Sequence, residues 1–260
     1  MVEMGVSIRS GALALLLVLS AGSAGHTKDM SACRTEAKLL DLGIALDATR
    51  KAVGERKQLR IVAIGSSSTQ GYGASPGNSY PAQMMKRLGT TLNGAEIIVF
   101  NRGVGGQDTD AMADRIERDV IAEKPDLVIF QAGTNAALRR IPVERFRRRL
   151  DLGIDRARAA GADVVLMDLQ YAPAVAALPD EEIYVEAMRE AASKHGAGLF
   201  QRFNITKAWY DKDDMTWSDF MTSDGLHFND FGQKCIGNLL AKAIERVIIT
   251  RASGGPEPKR

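Results

Sequence analysis

A histidine near the carboxyl end of the chain stands out for its chemistry. Residues 223–229 read SDGLHFN, so Asp224 lies three residues before His227 in a glycine-containing turn. At this spacing the carboxylate can reach the imidazole Nδ1, which fixes the tautomer and leaves Nε2 free as a general base. The other two histidines are less suitable. His26 lies where we expect a signal peptide to be cleaved, and His195 ends a predicted surface helix. The alternative interpretation of the segment is a helix N-cap followed by a surface histidine.

A hydroxyl-rich turn follows the first predicted strand. Residues 65–71 read GSSSTQG. A strand-to-helix turn of this kind can expose a serine Oγ while the backbone N–H groups of the following helix stabilise an oxyanion. Two other interpretations fit, namely a Ser/Thr-rich helix cap and a phosphate loop such as flavodoxin-like proteins use for FMN. The segment lacks the Gly-Lys-Ser/Thr sequence of a Walker-type nucleotide site.

Two further polar segments follow the second and third predicted strands. Residues 101–109 read NRGVGGQDT, and their three glycines let the backbone approach a ligand closely and expose an N–H group. Residues 133–135 read GTN, and the side-chain amide of Asn135 can donate a hydrogen bond to a developing oxyanion. Each segment also fits a structural role, the first as a tight turn with a helix cap at Asp108 and the second as an asparagine-stabilised turn.

Alternating strands and helices must position these segments. Short apolar runs predict strands at residues 60–65, 95–101, 126–132, 162–169 and 198–203. Helical patterns occupy residues 33–53, 80–92, 109–123, 143–160, 181–195 and 230–249. We predict the α/β class: a three-layer α/β/α sandwich with a mainly parallel, flavodoxin-like five-stranded sheet. Ligands of such sheets bind beyond the carboxyl ends of the strands, where the polar segments fall.

Length, composition and charge narrow the class of protein. The chain has 260 residues, of which 45% are apolar and 25% charged, as in a globular protein with one α/β domain. Its 34 basic and 32 acidic residues leave a net charge of +2. This balance provides no global attraction to nucleic acid, so we expect no nucleic-acid partner.

The first residues are typical of an export signal. Arg9 precedes a short apolar run, ALALLLVL, and a small-residue stretch, SAGSAG. We therefore expect a signal peptide at residues 1–25, and the apolar run is shorter than the roughly 20 residues that span a bilayer. We expect a periplasmic or secreted protein without a membrane anchor, and the alternative is that the apolar run stays uncleaved as a membrane tether. Its predicted parts are a helical extension at residues 26–58, the main domain at 59–250 and a disordered tail at 251–260.

The chain contains two cysteines, Cys33 and Cys235. In an oxidising compartment an isolated pair is a candidate disulfide, which would tie the first predicted helix to the last. The alternative is two buried free thiols.

In order and position, the four polar segments resemble the conserved blocks of the SGNH (GDSL-like) hydrolase family, over about residues 60–232. In that family the blocks carry, in turn, a nucleophilic serine, an oxyanion glycine, an oxyanion asparagine and an Asp-x-x-His pair. The resemblance implies that Ser67 is the nucleophile and that Asp224 and His227 form its acid–base relay. It places the oxyanion hole at Gly106 and Asn135.

Two residues depart from the family pattern. Ser66 stands where the family usually has an aspartate directly before the nucleophile, and Ala136 stands where an aspartate is common after the block-three asparagine. The aspartate before the nucleophile is not the relay carboxylate, so its absence need not abolish activity. The departure affects substrate preference, turn stability and the choice of Ser67 over its neighbours.

The resemblance implies a serine ester hydrolase that forms an acyl-enzyme. The sequence shows no metal-binding cluster or nucleotide motif, so we expect no cofactor or metal. Short polar loops and the absence of a long apolar insertion favour acetyl or other short acyl esters of saccharides or small molecules. Arg102, Arg139 and Trp217 are candidate contacts for the alcohol portion, and the alternative is that Trp217 packs in the core and the arginines are solvated. The rival function is a non-catalytic flavodoxin-like binding module for a glycan or a flavin.

Overall fold

A single parallel sheet forms the centre of the protein. The computed structural model describes residues 30–92, 94–212 and 215–252. Its five strands lie in the order β2-β1-β3-β4-β5, and every neighbouring pair is parallel. The strands are β1 (Gln58–Gly65), β2 (Glu96–Gly103), β3 (Leu127–Gln131), β4 (Asp163–Met167) and β5 (Gly198–Phe200).

Helices connect successive strands and cover the sheet. Within the described residues the α-helices are α1 (Asp47–Lys51), α2 (Ser67–Gln70), α3 (Tyr80–Thr91), α4 (Thr109–Asp114), α5 (Ile116–Asp119), α6 (Thr134–Leu138), α7 (Val143–Ala159), α8 (Pro173–Ala176), α9 (Glu182–His195), α10 (Arg202–Lys212), α11 (Trp217–Phe220) and α12 (Asp230–Ala252). Shorter helical turns occupy Met30–Ala32, Ala37–Leu40, Ala52–Arg56 and Ile121–Glu123.

The central strands β1, β3 and β4 are nearly continuous in apolar residues because both of their faces are buried, whereas the edge strand β2 is only partly covered. Side chains alternate between the faces, so Ile61 and Ile129 point to one side and Val62 and Val128 to the other. The first side packs against α3 and α12, and the second packs against α4, α7 and α9. These two cores confirm the predicted three-layer α/β/α sandwich with a five-stranded parallel sheet.

The prediction of one helix over residues 33–53 is wrong. Short helical turns separated by bends replace it, because Gly43 and Leu46 adopt the left-handed conformation that ends a regular helix. The extended stretch between the turns lies beside β5, where the N–H of Leu199 donates to the carbonyl of Leu42 at 3.1 Å. The segment thus covers the outer edge of the sheet and contributes leucines to the core of the main domain.

The helix predicted over residues 109–123 is broken into α4, α5 and a 3₁₀ turn. The break falls at Arg115, which leaves helical geometry with φ −110° and ψ 9°. Its side chain is buried and turns toward the sheet, where Nη2 donates to the carbonyls of Gly65 and Arg102 at 3.2 and 2.8 Å. Binding these two strand ends is incompatible with an uninterrupted surface helix.

The fifth predicted strand is too long, since β5 ends at Phe200 and helix α10 follows it. The helix begins where Asp168, at the end of β4, accepts the N–H of Phe203 at 2.9 Å. This cap comes from a residue far away in the chain, so the local sequence around residue 203 does not predict the start of the helix.

A disulfide joins Cys33 to Cys235 in α12, with the two Cα atoms 5.2 Å apart, which confirms the predicted pair. The predicted signal peptide lies outside the described residues, as does the predicted tail apart from the last two residues of α12. In the described part of the chain, no helix combines the length and apolarity needed to cross a bilayer.

We expect the disulfide to contribute to stability, because it closes a loop of 202 residues that the unfolded chain would otherwise leave open. The double variant Cys33→Ser/Cys235→Ser should lose about 2–5 kcal/mol of the free energy of unfolding, measured by urea denaturation. Reductant should destabilise the wild-type protein and leave the double variant unaffected. Equal urea midpoints for the wild-type and double-variant proteins would contradict this role.

Candidate active site

Four loops converge at the carboxyl edge of the sheet. Three of them directly follow β1, β2 and β3, and parallel strands place these ends side by side. The fourth is the turn between α11 and α12, which a bridge between Met221 and Phe228 closes into a tight hairpin. The predicted residues Ser67, Gly106 and Asn135 lie on the first three loops, and the fourth carries the aspartate and histidine.

Ser67 is the first residue of α2, in a sharp strand–turn–helix connection. The residue before it, Ser66, has an extended backbone that turns the chain from the strand into the helix. Gly65 has no room for a side chain, because a Cβ there would lie 2.0 Å from Thr69 Oγ1. Ser66 and Ser68 are buried, whereas Ser67 is partly open to solvent. Of the three adjacent serines, the geometry therefore singles out Ser67.

A continuous hydrogen-bonded chain joins Ser67 to the fourth loop. His227 Nε2 lies 2.8 Å from Ser67 Oγ, and His227 Nδ1 lies 2.6 Å from Asp224 Oδ2. An ionised carboxylate can only accept, so Nδ1 carries the proton and Nε2 is left to accept the serine hydroxyl. The structure thus brings together the three residues that the sequence predicted as nucleophile, base and acid.

The turn that holds Asp224 also determines its charge state. Partial burial raises the pKa of this carboxyl, but hydrogen bonds from His227, Thr222 and Leu226 outweigh the burial and hold the pKa well below its usual range. Oδ1 accepts the backbone N–H groups of Leu226 and His227 at 2.9 and 3.0 Å and the Thr222 hydroxyl at 2.7 Å. Oδ2 is thereby left for the imidazole, and the carboxylate stays ionised at neutral pH.

The loops that carry the predicted oxyanion residues Gly106 and Asn135 contact each other, and the glycine loop passes beside the serine. Gly106 has φ +74°, a conformation that suits glycine, and its carbonyl accepts from Arg139 Nη2 at 2.6 Å. Asn135, in the first turn of α6, donates from Nδ2 to the carbonyl of Gln107 at 2.7 Å. A Cβ on Gly105 would lie 4.0 Å from the Ser67 Cβ, so this loop passes directly beside the serine.

Sequence reasoning missed Gln131, which explains how the turn tolerates Ser66. The buried amide oxygen of Gln131 accepts the backbone N–H and the hydroxyl of Ser66 at 2.9 and 3.1 Å, and the hydroxyl of Thr69 at 3.1 Å. A neutral acceptor on β3 therefore holds the turn, and Ser66 donates to it. The only sequence signal was a polar residue at the end of an otherwise apolar strand.

Two other positioning residues were also missed. Gln170 accepts the Thr134 hydroxyl at 2.9 Å and donates to the carbonyl of Leu226 at 3.0 Å, so it joins the asparagine loop to the histidine loop. Arg115 adds a bond from Nε to the side chain of Gln107 at 2.7 Å. Both residues bridge segments that are distant in sequence.

The predicted alcohol contacts all have partners within the protein. Arg102 pairs with Glu123, and Arg139 pairs with Asp108 at 2.9 Å besides binding the Gly106 carbonyl. Trp217 stacks on Tyr210 with ring centroids 4.1 Å apart.

His195, which the sequence made a less suitable base than His227, lies between Asp151 and Asp155 on α7. Among the described residues, no group of three or more histidine, cysteine or acidic side chains is arranged to hold a metal ion.

Comparison with known proteins identifies the family. The profile of the non-GDSL lipase-like family matches residues 32–250. An arylesterase from Vibrio mimicus is 24% identical over 187 residues, which cover 71% of this chain and 88% of the arylesterase. The lipoprotein YqeF from Bacillus subtilis (strain 168) is 30% identical over 113 residues, which are 41% of this chain and only 46% of YqeF.

A solved structure shares the fold. Axe2, an acetylxylan esterase from Geobacillus stearothermophilus, superimposes with a TM-score of 0.60 over 74% of this chain and 94% of Axe2, at 19% identity. This likeness supports the SGNH-type sandwich described above. Since the family profile extends over nearly all of the described residues, the chain belongs to the non-GDSL lipase-like family.

Proposed function

We propose that the protein is a carboxylic ester hydrolase that works through an acyl-enzyme on Ser67. The single observation that carries the proposal is the hydrogen-bonded chain from Asp224 through His227 to Ser67, at a partly open edge of the sheet. A serine hydroxyl is a weak nucleophile near neutral pH, and a base at 2.8 Å supplies the activation it needs.

Acylation follows from this geometry. Ser67 Oγ attacks the ester carbonyl carbon as His227 Nε2 takes the hydroxyl proton, and the carbonyl electron pair moves onto its oxygen. When the tetrahedral intermediate collapses, the bond to the alcohol oxygen breaks and the protonated imidazole returns its proton to that oxygen. The alcohol leaves, and the acyl group remains on Ser67.

Deacylation repeats these steps with water as the nucleophile in place of the serine hydroxyl. His227 takes a proton from the water, whose oxygen attacks the acyl carbon, and then returns it to Ser67 Oγ as the acid leaves. During both acylation and deacylation Asp224 remains ionised, because the pKa of its carboxyl is lowered. The carboxylate therefore stabilises the positive imidazolium.

The oxyanion hole is proposed to comprise the N–H groups of Ser67 and Gly106 and the side chain of Asn135. Ser67 begins α2, where a backbone N–H has no acceptor within the helix. Asn135 uses one amide hydrogen on the Gln107 carbonyl, and a primary amide has a second hydrogen for the substrate. Removing one such donor typically lowers kcat by about 10²- to 10³-fold.

The proposed substrates are short acyl esters, of which acetyl esters of saccharides or small molecules are the best candidates. The loop from Val104 to Asp108 and the turn after α2 are short and rich in glycine or polar residues, which favours a shallow site. A shallow site covers a small acyl group and leaves a long chain in water. The fold shared with an acetylxylan esterase is consistent with this choice.

We also propose that the protein is exported. The disulfide between Cys33 and Cys235 supports this, because such bonds persist in oxidising compartments and are rare in the cytosol. The apolar run and small-residue stretch at the start of the chain support it independently.

A fluorophosphonate probe tests the nucleophile. We expect intact mass to show one covalent adduct on the wild-type protein and none on Ser67→Ala, because Ser67 Oγ lies 2.8 Å from the proposed base, His227 Nε2. Ser66→Ala and Ser68→Ala are matched controls that should still be labelled, since both residues are buried and Ser67 is the serine bonded to the imidazole. An unlabelled and yellow wild-type protein would instead favour the flavin-binding alternative.

Changes to the relay should reduce turnover through the imidazole. Asp224→Asn should lower kcat by about 10⁴, because the amide can favour the wrong tautomer of His227. His227→Ala should bring ester hydrolysis close to background, whereas His195→Ala should retain it, since His195 binds only structural carboxylates. The activity of all three variants is measured by hydrolysis of p-nitrophenyl acetate. A loss of activity confined to His195→Ala would contradict the assignment of His227 as the base.

A series of p-nitrophenyl esters from acetate to palmitate tests the acyl preference. We expect kcat/KM to peak between acetate and butyrate, because each CH₂ left in water forgoes about 0.8 kcal/mol of binding. A steady rise toward palmitate would reveal a long acyl pocket and contradict the short-chain proposal.

A further inference from the structure

One exposed aromatic residue beside the proposed catalytic histidine has no part in the mechanism above. Tyr72 is 60% exposed, and its ring lies against the His227 imidazole with centroids 4.5 Å apart and planes tilted by 57°. Exposing this much of a large aromatic ring to water forgoes hydrophobic stabilisation, and a ligand that covers the ring recovers it.

The backbone holds Tyr72 in a fixed place. Its N–H donates to the carbonyl of Ser67 at 3.0 Å, so the turn that ends α2 carries the tyrosine. The residues on either side, Gly71 and Gly73, have φ +96° and +90°. A Cβ on Gly73 would lie 2.8 Å from the Phe228 carbonyl and 3.1 Å from the His227 Cβ. The turn therefore packs closely on the histidine loop, and Tyr72 extends from a tightly seated backbone.

This position corresponds to one part of the substrate. In the proposed mechanism His227 Nε2 returns its proton to the oxygen of the leaving alcohol, so that oxygen must lie within hydrogen-bond reach of the imidazole. A group bonded to that oxygen then extends past the imidazole and its immediate neighbours. Tyr72 is such a neighbour, whereas Gly106 and Asn135 are proposed to bind the carbonyl oxygen.

We propose that Tyr72 is a binding residue for the alcohol portion of the ester and that it selects alcohols with a flat-faced ring. The inference rests on the proposed function and extends it. An aromatic face makes wide contact with the C–H face of a pyranose or with an aryl ring, whereas a short alkyl group covers little of it. The shared chemistry is a six-membered ring bonded at or next to the ester oxygen.

Three acetate esters isolate this contact. Phenyl acetate, methyl 6-O-acetyl-glucopyranoside and ethyl acetate all form the same acetyl-enzyme, so kcat/KM differs among them only through binding and acylation. Tyr72→Leu keeps an apolar side chain but removes the ring. We expect it to lower the ratio of kcat/KM for a ring ester to that for ethyl acetate by about three- to tenfold. Tyr72→Phe, which retains the ring, should keep the wild-type ratio.

The outcomes distinguish the two ring chemistries. A fall in the ratio for the glucoside identifies a pyranose surface, a fall for phenyl acetate identifies an aryl surface, and a fall for both supports the shared chemistry. Tyr210→Leu is the matched control, because Tyr210 is also an exposed tyrosine but stacks on Trp217 instead of His227. This control should leave every ratio unchanged.

Two results would overturn the inference. Equal losses of kcat/KM for all three esters in Tyr72→Leu would show that Tyr72 acts only through the imidazole, and unchanged kcat/KM values for all three would show that it contacts no alcohol. In either case the wild-type protein still hydrolyses esters, so the proposed function stands. A wild-type protein that hydrolyses none of the acetates and resists fluorophosphonate labelling would remove both proposals.

Discussion

The hydrogen bond between His227 Nε2 and Ser67 Oγ places the strictest demand on this structure. It joins residues 160 positions apart at 2.8 Å, and the proton transfer of the proposed mechanism would tolerate errors of only about half an ångström in this distance. Neither residue lies in a long regular element: Ser67 follows a strand end, and His227 lies in a turn before the last helix. The other residues of the site hold these two loops in fixed positions relative to each other.

Buried polar side chains at the end of the sheet meet that demand. Gln131 holds the serine turn from β3, Arg115 holds the ends of β1 and β2, and Gln170 connects the asparagine loop to the histidine loop. Burying such groups is unfavourable unless they are hydrogen-bonded, and each of these bonds several partners. A satisfied network of this kind favours one arrangement of the loops, because displacing any loop leaves a buried group without a partner.

Close backbone approach completes the positioning. A Cβ on Gly103 would lie 2.1 Å from the backbone nitrogen of Gln70, so the end of β2 packs directly on the helix that begins with Ser67. Gly73 packs with similar closeness on the histidine loop and sets Tyr72 beside the imidazole. These two glycines therefore allow the close packing that orders the proposed nucleophile and the proposed alcohol-binding tyrosine.

The sequence by itself determined the features that depend on short-range chemistry. Apolar runs separated by helical periods specify a parallel sheet covered on both faces, and the strand ends specify where polar loops meet. The Asp224–His227 unit is equally local, because a carboxylate three residues before an imidazole accepts the intervening N–H groups and the ring within one turn.

Only the tertiary structure decided the features whose partners are distant in the chain. Ser67 is distinguished from its neighbours by burial and by Gln131, which lies more than 60 residues away. The broken helix at Arg115 and the irregular segment before β1 reflect bonds to strand ends and to the sheet edge that no local periodicity encodes. Residue spacing describes a few turns of chain, whereas hydrogen bonds between separate loops exist only once the sheet has brought those loops together.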